Sequence, residues 1–153
     1  MSAPSVLFVC LGNICRSPLA EAAFCDAAER AGLAAVTDSA GTADYHVGEP
    51  PDPRTVAEAQ RHGIDITQYR GRQLEPADFE RFAWIVGMDH ANMANIERIR
   101  PADSAANVVM LLDLVAGREG QEVADPWYGE QDGFAVTWSD VSAGAAALIE
   151  RLR

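Results

Sequence analysis

Cysteine, asparagine, arginine and serine stand together in "CLGNICRS", residues 10–17. Cys10 follows the apolar run "SVLFV"; Gly12 and Asn13 come next, and Arg16, Ser17 and Pro18 close the stretch. Gly12 and Asn13 both tolerate left-handed backbone, so this loop can turn successive amides inward into a concave anion cradle. A helix starting behind it would add unpaired N–H groups and the positive end of its dipole. The planar fork of Arg16 can grip two oxygens of one phosphate. Surroundings that hold an oxyanion also favour a thiolate, and a thiolate inside a phosphate cradle is poised to attack phosphorus.

The cradle contains no acid to protonate a leaving oxygen. The candidate is Asp125 in "ADPWYG", residues 124–129, beside Trp127 and Tyr128. Alone, Asp-Pro is a common turn opener. An apolar, aromatic setting favours the protonated carboxyl, and beside a phosphate cradle Asp125 reads as a general acid.

These groups need elements to position them. Residues 5–9 form a short apolar run typical of a buried strand, placing Cys10 at its carboxyl end. Ser17 reads as an N-cap and Pro18 as the first helical residue, with an apolar stripe from Leu19 to Ala31 ending at Gly32. Further strands are expected over 35–40, 83–88 and 107–112, and helices over 53–63, 75–82, 90–100 and from Phe134 onward, with 113–133 rich in loop. Apolar strands alternating with amphipathic helices predict an α/β fold: a four-stranded parallel sheet flanked by helices on both faces. Ligands bind such sheets at the carboxyl ends of the strands, where strand order reverses, and Cys10 is expected there.

Composition sets the limits. A chain of 153 residues with 48% hydrophobic and 23% charged content is read as one globular domain, 1–153. The net charge of −11 argues against nucleic acid or an anionic membrane as partner. All 12 basic residues are arginine, which excludes lysine Schiff-base chemistry and a Walker-type phosphate loop. Three cysteines, an odd number, and an N-terminal stretch without a charged leader point to a reducing, cytoplasmic compartment. His46, His62 and His90 lack metal-ligand spacing, so neither a metal nor another cofactor is expected. Cys25 lies off the apolar stripe of its helix and is given no role.

The chain resembles the low-molecular-weight protein tyrosine phosphatases along almost its whole length. "VLFVCLGNICRSPLAEAAF", "DSAGT", "GEPPDPR", "RHGI", "RQL" and "DPWYG" stand in that family's order and spacing. The resemblance implies the three-layer fold of that family, called phosphotyrosine phosphatase I-like. It also implies hydrolysis of phosphotyrosine in a protein substrate through a cysteinyl-phosphate. Cys10 would be the nucleophile. Arg16 and the amides of Leu11, Gly12, Asn13, Ile14, Cys15 and Arg16 would hold the phosphate or another oxyanion. Asp125 would be acid and then base. Asn13 and Ser39 would brace the loop, Ser17 would assist the thiolate, and Tyr45, His46, Trp127 and Tyr128 would wall the crevice. Cys15 matches a second loop cysteine able to form a reversible disulfide with the nucleophile. Two positions depart from the pattern. Trp127 stands where a tyrosine is frequent, and Tyr69 stands where many members carry a histidine that supports the loop. Asp89 matches a family aspartate and is given no catalytic role.

Two other chemistries fit the cradle. A thiol-dependent arsenate reductase would use the same loop, but it needs resolving cysteines late in the chain, and none follows Cys25. A phosphocysteine carrier would need neither Arg16 nor the distant acid.

Overall fold

A computed structural model describes residues 3–127, 129 and 131–153 of the chain. Its centre is a four-stranded parallel sheet of β1 (Ser5–Cys10), β2 (Val36–Gly41), β3 (Trp84–Gly87) and β4 (Asn107–Met110), in the order β2-β1-β3-β4. Strand β1 pairs with β2 through Cys10↔Gly41 and with β3 through Val9↔Gly87. As the central strand it is covered on both faces, and Val6 to Val9 are fully buried.

Period-2 alternation divides β1 between two core layers. Val6, Phe8 and Cys10 face one layer, packed with Leu19, Phe24, Phe134, Val141 and Leu148 of α1 (Arg16–Arg30) and α5 (Gln131–Leu152). Leu7 and Val9 face the other, with Phe79, Phe82 and Ile96 from the region of α3 (Asp78–Arg81) and α4 (His90–Ile99). Helix α2 (Pro53–Arg61) packs against α1 and α5. Gly144 lets α5 close onto Leu111, because a Cβ there would collide with that side chain.

The sequence explains the helix ends. Asp52 caps α2, its carboxylate accepting from Arg54 N at 2.8 Å, with Pro53 as the first helical residue. Gly32 ends the α1 region in the left-handed conformation, φ 69°, while Leu33 N donates back to Ala28 O at 2.9 Å.

The start of α1 differs from expectation. Its N-cap is Cys15, with no capping side chain, and Ser17 lies inside the first turn. The Ser17 hydroxyl is engaged with Cys10 and Asn13 instead. The expected fourth strand is also shorter: β4 stops at Met110, and residues Leu111–Leu114 form a 3-10 turn.

Candidate active site

Strand order reverses between β1 and β3, and the crevice opens at the carboxyl ends of those strands. Cys10 ends β1 and lies on the floor of a cleft of about 210 Å³, lined also by Leu11, Gly12, Ile14, Cys15, Arg16, Tyr45, His46, Asp125 and Trp127. Residues separated by more than a hundred positions thus meet around one sulfur.

Two groups hydrogen-bond with that sulfur. Asn13 N donates to Cys10 Sγ at 3.3 Å, and Ser17 Oγ lies 3.1 Å away. Among the described residues, the amides of Leu11, Gly12, Ile14, Cys15 and Arg16 find no acceptor in the protein. Such unpaired N–H groups at the start of a helix form an anion site.

The loop is held from below. Asn13 has φ 60°, the one non-glycine residue with positive φ among the described residues. Its Nδ2 donates to Ser17 Oγ at 2.8 Å and Ser39 Oγ at 3.0 Å, while its Oδ1 accepts from Arg72 N at 3.0 Å. Gly41 lets β2 approach closely: a Cβ there would lie 2.8 Å from Leu11 O. Below Ser39 lies the buried Glu21, which accepts from Thr37 Oγ1 at 3.3 Å. Burial, and then the charge of Asp38, push the Glu21 carboxyl up to about 7.

Arg16 is 4% exposed. Its Nη1 pairs with Asp89 Oδ2 at 2.6 Å and donates to Val123 O at 3.1 Å; its Nη2 stands 3.6 Å from Asp125 Oδ2. Burial works against the guanidinium charge. The Cys10 sulfur, then Asp89 and Asp125, offset it, so the Arg16 pKa is raised above its ordinary value. Asp89 also caps α4 in a reciprocal capping box with Asn92. Sequence reasoning gave Asp89 no role. The local signal was present, an acidic residue directly after a strand with Asn three positions on, but it reads only as a cap.

Asp125 stands beside Trp127 at the cleft. Its side chain is 43% exposed, its nearest cation is Arg16, and its Oδ1 accepts from Trp127 N at 3.1 Å. Trp127 and His46 face each other across the mouth, ring centroids 5.9 Å apart, while Tyr45 is exposed at the rim. The expected wall residue Tyr128 lies outside the described residues.

Cys15 shares the cleft but not the chemistry of Cys10. Burial, supplemented by the negative charges of Asp52, Cys10 and Asp125, pushes its thiol up to about 12. Cys10, Cys15 and Cys25 are all free. Tyr69 is half-buried against the core of the α1 face, and the contact that braces Asn13 from this segment comes from the Arg72 backbone. Burial raises the Tyr69 hydroxyl pKa. Sequence reasoning also missed Arg54, which contacts the backbone of residues 127 and 129. No local pattern in "PDPR" reveals that contact.

A family profile described as low molecular weight phosphotyrosine protein phosphatase matches residues 5–153. The chain is 46% identical over 132 residues to the low molecular weight phosphotyrosine protein phosphatase of Schizosaccharomyces pombe, covering 84% of each. It is 40% identical over 151 residues to low molecular weight phosphotyrosine protein phosphatase 1 of Drosophila melanogaster, covering 97% of each. Among solved structures, Primo-1 matches with a TM-score of 0.94 at 36% identity, over 99% of this chain and 100% of that one. YfkJ from Bacillus subtilis matches with a TM-score of 0.91 at 35% identity, over 99% and 95%.

Proposed function

The chain belongs to the low molecular weight phosphotyrosine protein phosphatases, and from that premise we propose which of its residues carry the hydrolysis of phosphotyrosine. The reaction passes through a cysteinyl-phosphate with an aspartate as acid and base.

Cys10 Sγ attacks phosphorus in line with the ester oxygen. The S–P bond forms as the P–O bond to the tyrosyl ring breaks. The amides of Leu11, Gly12, Ile14, Cys15 and Arg16 and the Nη2 side of Arg16 hold the equatorial oxygens and stabilise the charge that develops on them. Asp125 gives its proton to the departing phenolate. The resulting carboxylate takes a proton from water, which attacks phosphorus, and the S–P bond breaks to release inorganic phosphate and the free enzyme. Ser17 and Asn13 N hydrogen-bond to the sulfur and ease its departure. Asn13 and Ser39 hold the loop in shape.

The observation that carries this reading is the convergence of Cys10, Arg16 and Asp125 on one cleft, with Asp125 Oδ2 3.6 Å from Arg16 Nη2. Leu11, Tyr45, His46 and Trp127 would receive the aryl ring of a phosphotyrosine in a protein substrate. The three free thiols favour a reducing, cytoplasmic compartment. Among the described residues, no helix is long and apolar enough to cross a membrane. Reduction of arsenate has less support, because no cysteine follows Cys25 to resolve an intermediate on Cys10.

Steady-state hydrolysis of phenyl phosphate and of a phosphotyrosyl peptide by the wild type, Cys10→Ser and Asp125→Ala tests the assignment. The expected pattern is no turnover for Cys10→Ser and a loss of about 100-fold or more in kcat for Asp125→Ala. Full activity in Cys10→Ser would end the proposal.

A further inference from the structure

The stretch that carries Asp125 is tied at its N-terminal side, where Val123 N donates to Met88 O at 2.9 Å and Thr137 Oγ1 to Ala124 O at 3.2 Å. Beyond Asp125 the Arg54 side chain takes over. Arg54 Nη2 donates to Trp127 O at 3.0 Å and Nη1 to Gly129 O at 2.7 Å. The same guanidinium holds the Asp52 carboxylate with two donors, Nε and Nη2, each at 3.0 Å. It also lies 5.7 Å from the centre of the Trp127 ring and 4.8 Å from that of Phe134.

Asp52 in turn is fixed to the phosphate loop. Its backbone N donates to Ile14 O at 2.9 Å. The path therefore runs from Ile14 through Asp52 and Arg54 to the Trp127 peptide. The amide of Trp127 then holds Asp125 Oδ1 at 3.1 Å. Every link is a hydrogen bond, and the middle two use the rigid fork of an arginine.

We propose that Arg54 is the positioning residue for the general acid, registering the Trp127 and Gly129 carbonyls against the phosphate loop so that Asp125 stands over Cys10. The proposal rests on the reading of Asp125 as the acid. Arg54 has no part in binding phosphate, because none of its contacts lies on the cradle amides or on Arg16. Lysine replaces it only in part, since a single ammonium cannot serve a carboxylate and two carbonyls as a planar fork does.

The test compares wild type, Arg54→Ala, Arg54→Lys, Asp125→Asn and the Arg54→Ala/Asp125→Asn double variant. It measures kcat/KM for aryl phosphates whose leaving phenols rise in basicity from p-nitrophenol to phenol, and inhibition by vanadate. A misplaced acid matters most where the leaving group most needs a proton. Arg54→Ala is expected within about 3-fold of wild type on p-nitrophenyl phosphate and down about 10-fold or more on phenyl phosphate. Arg54→Lys falls between, and vanadate inhibition stays within about 3-fold, which also shows that each variant is folded around an intact loop. In the Asp125→Asn background, Arg54→Ala adds no more than about 2-fold.

A loss by Arg54→Ala that is uniform across leaving groups would overturn the proposal. So would equally weakened vanadate binding, or effects of Arg54→Ala and Asp125→Asn that multiply. If Asp125→Asn steepens the leaving-group dependence and Arg54→Ala does not, the Arg54 assignment alone falls. If Asp125→Asn leaves that dependence unchanged, the acid assignment falls and takes this one with it.

Discussion

Arg16 Nη1 lies 2.6 Å from Asp89 Oδ2, an ion pair that joins the start of α1 to the cap of α4 across the point where strand order reverses. One guanidinium nitrogen is thereby committed to the scaffold, while Nη2 is directed toward Asp125. The pair turns a long, flexible side chain into a fixed donor, which matters because transition-state stabilisation depends on donors already in place.

Separating the two jobs of Asp89 is straightforward. Asparagine is as good a helix cap as aspartate but carries no charge. Asp89→Asn should keep most of the fold stability and lower kcat about 10-fold or more, with Arg16 freed from its partner. Asp89→Ala should cost about 1 kcal/mol more in stability through loss of the cap. Urea unfolding and aryl phosphate kinetics measure both; a normal kcat in Asp89→Asn would remove the positioning role.

The left-handed backbone at Asn13 makes a second prediction. Asn13→Gly loses the bonds to Ser17, Ser39 and Arg72 N but keeps the φ of 60° without strain. Asn13→Ala loses the same bonds and adds about 1–2 kcal/mol of backbone strain. The alanine variant should therefore be the less stable by thermal unfolding, and both should turn over aryl phosphates more slowly than wild type. Equal stability of the two would contradict the strain argument.

Glu21 should make stability depend on pH near neutrality. Its carboxyl is held at about 7 in the fold, against an ordinary value of 4.5, mainly by burial and by Asp38. The folded state thus prefers the protonated form. The contribution is complete below about pH 4.5 and is lost as pH rises through about 7. The facing groups are Asp38, Ser39, Thr37 and Arg72, with Tyr69 and Cys25 nearby. Glu21→Gln keeps a neutral side chain of the same shape. Its melting temperature should exceed that of wild type by about 7–14 °C at pH 8 and by much less at pH 5. A constant difference at both pH values would show that Glu21 does not titrate there.

Burial and the surrounding negative charges hold the Cys15 thiol in its protonated form. Iodoacetate at neutral pH should modify Cys10, with protection by inorganic phosphate, and leave Cys15 unmodified because its thiol is held at about 12. Peptide mapping of the alkylated protein reads this directly, and first modification at Cys15 would contradict it.

What the sequence made legible was local. The run from Ser5 to Cys10 and the turn through Gly12 and Asn13 lie within one strand–loop–helix unit, so spacing alone placed Cys10 and Arg16 at a strand's carboxyl end. The succession of apolar strands and amphipathic helices likewise pointed to a sheet covered on both faces. Ser17 was read as a cap because Ser-Pro before an apolar stripe has that form, but the sulfur and Asn13 claim its hydroxyl. Asp89 and Arg54 act through contacts spanning 73 and 75 positions, and neither partner carries a pattern that names the other. Tyr69 shows the same limit: its place in the core follows from the packing of α1, while the bracing of Asn13 passes to the Arg72 backbone.

The most direct measurement is rapid quenching of turnover on an aryl phosphate, followed by mass spectrometry of the peptide bearing residues 10–16. The account predicts a phosphoryl group on Cys10 in the wild type, a larger trapped fraction in Asp125→Ala, where hydrolysis lacks its base, and none in Cys10→Ser. Phosphate carried on another residue, or turnover with Cys10 replaced by serine, would contradict it.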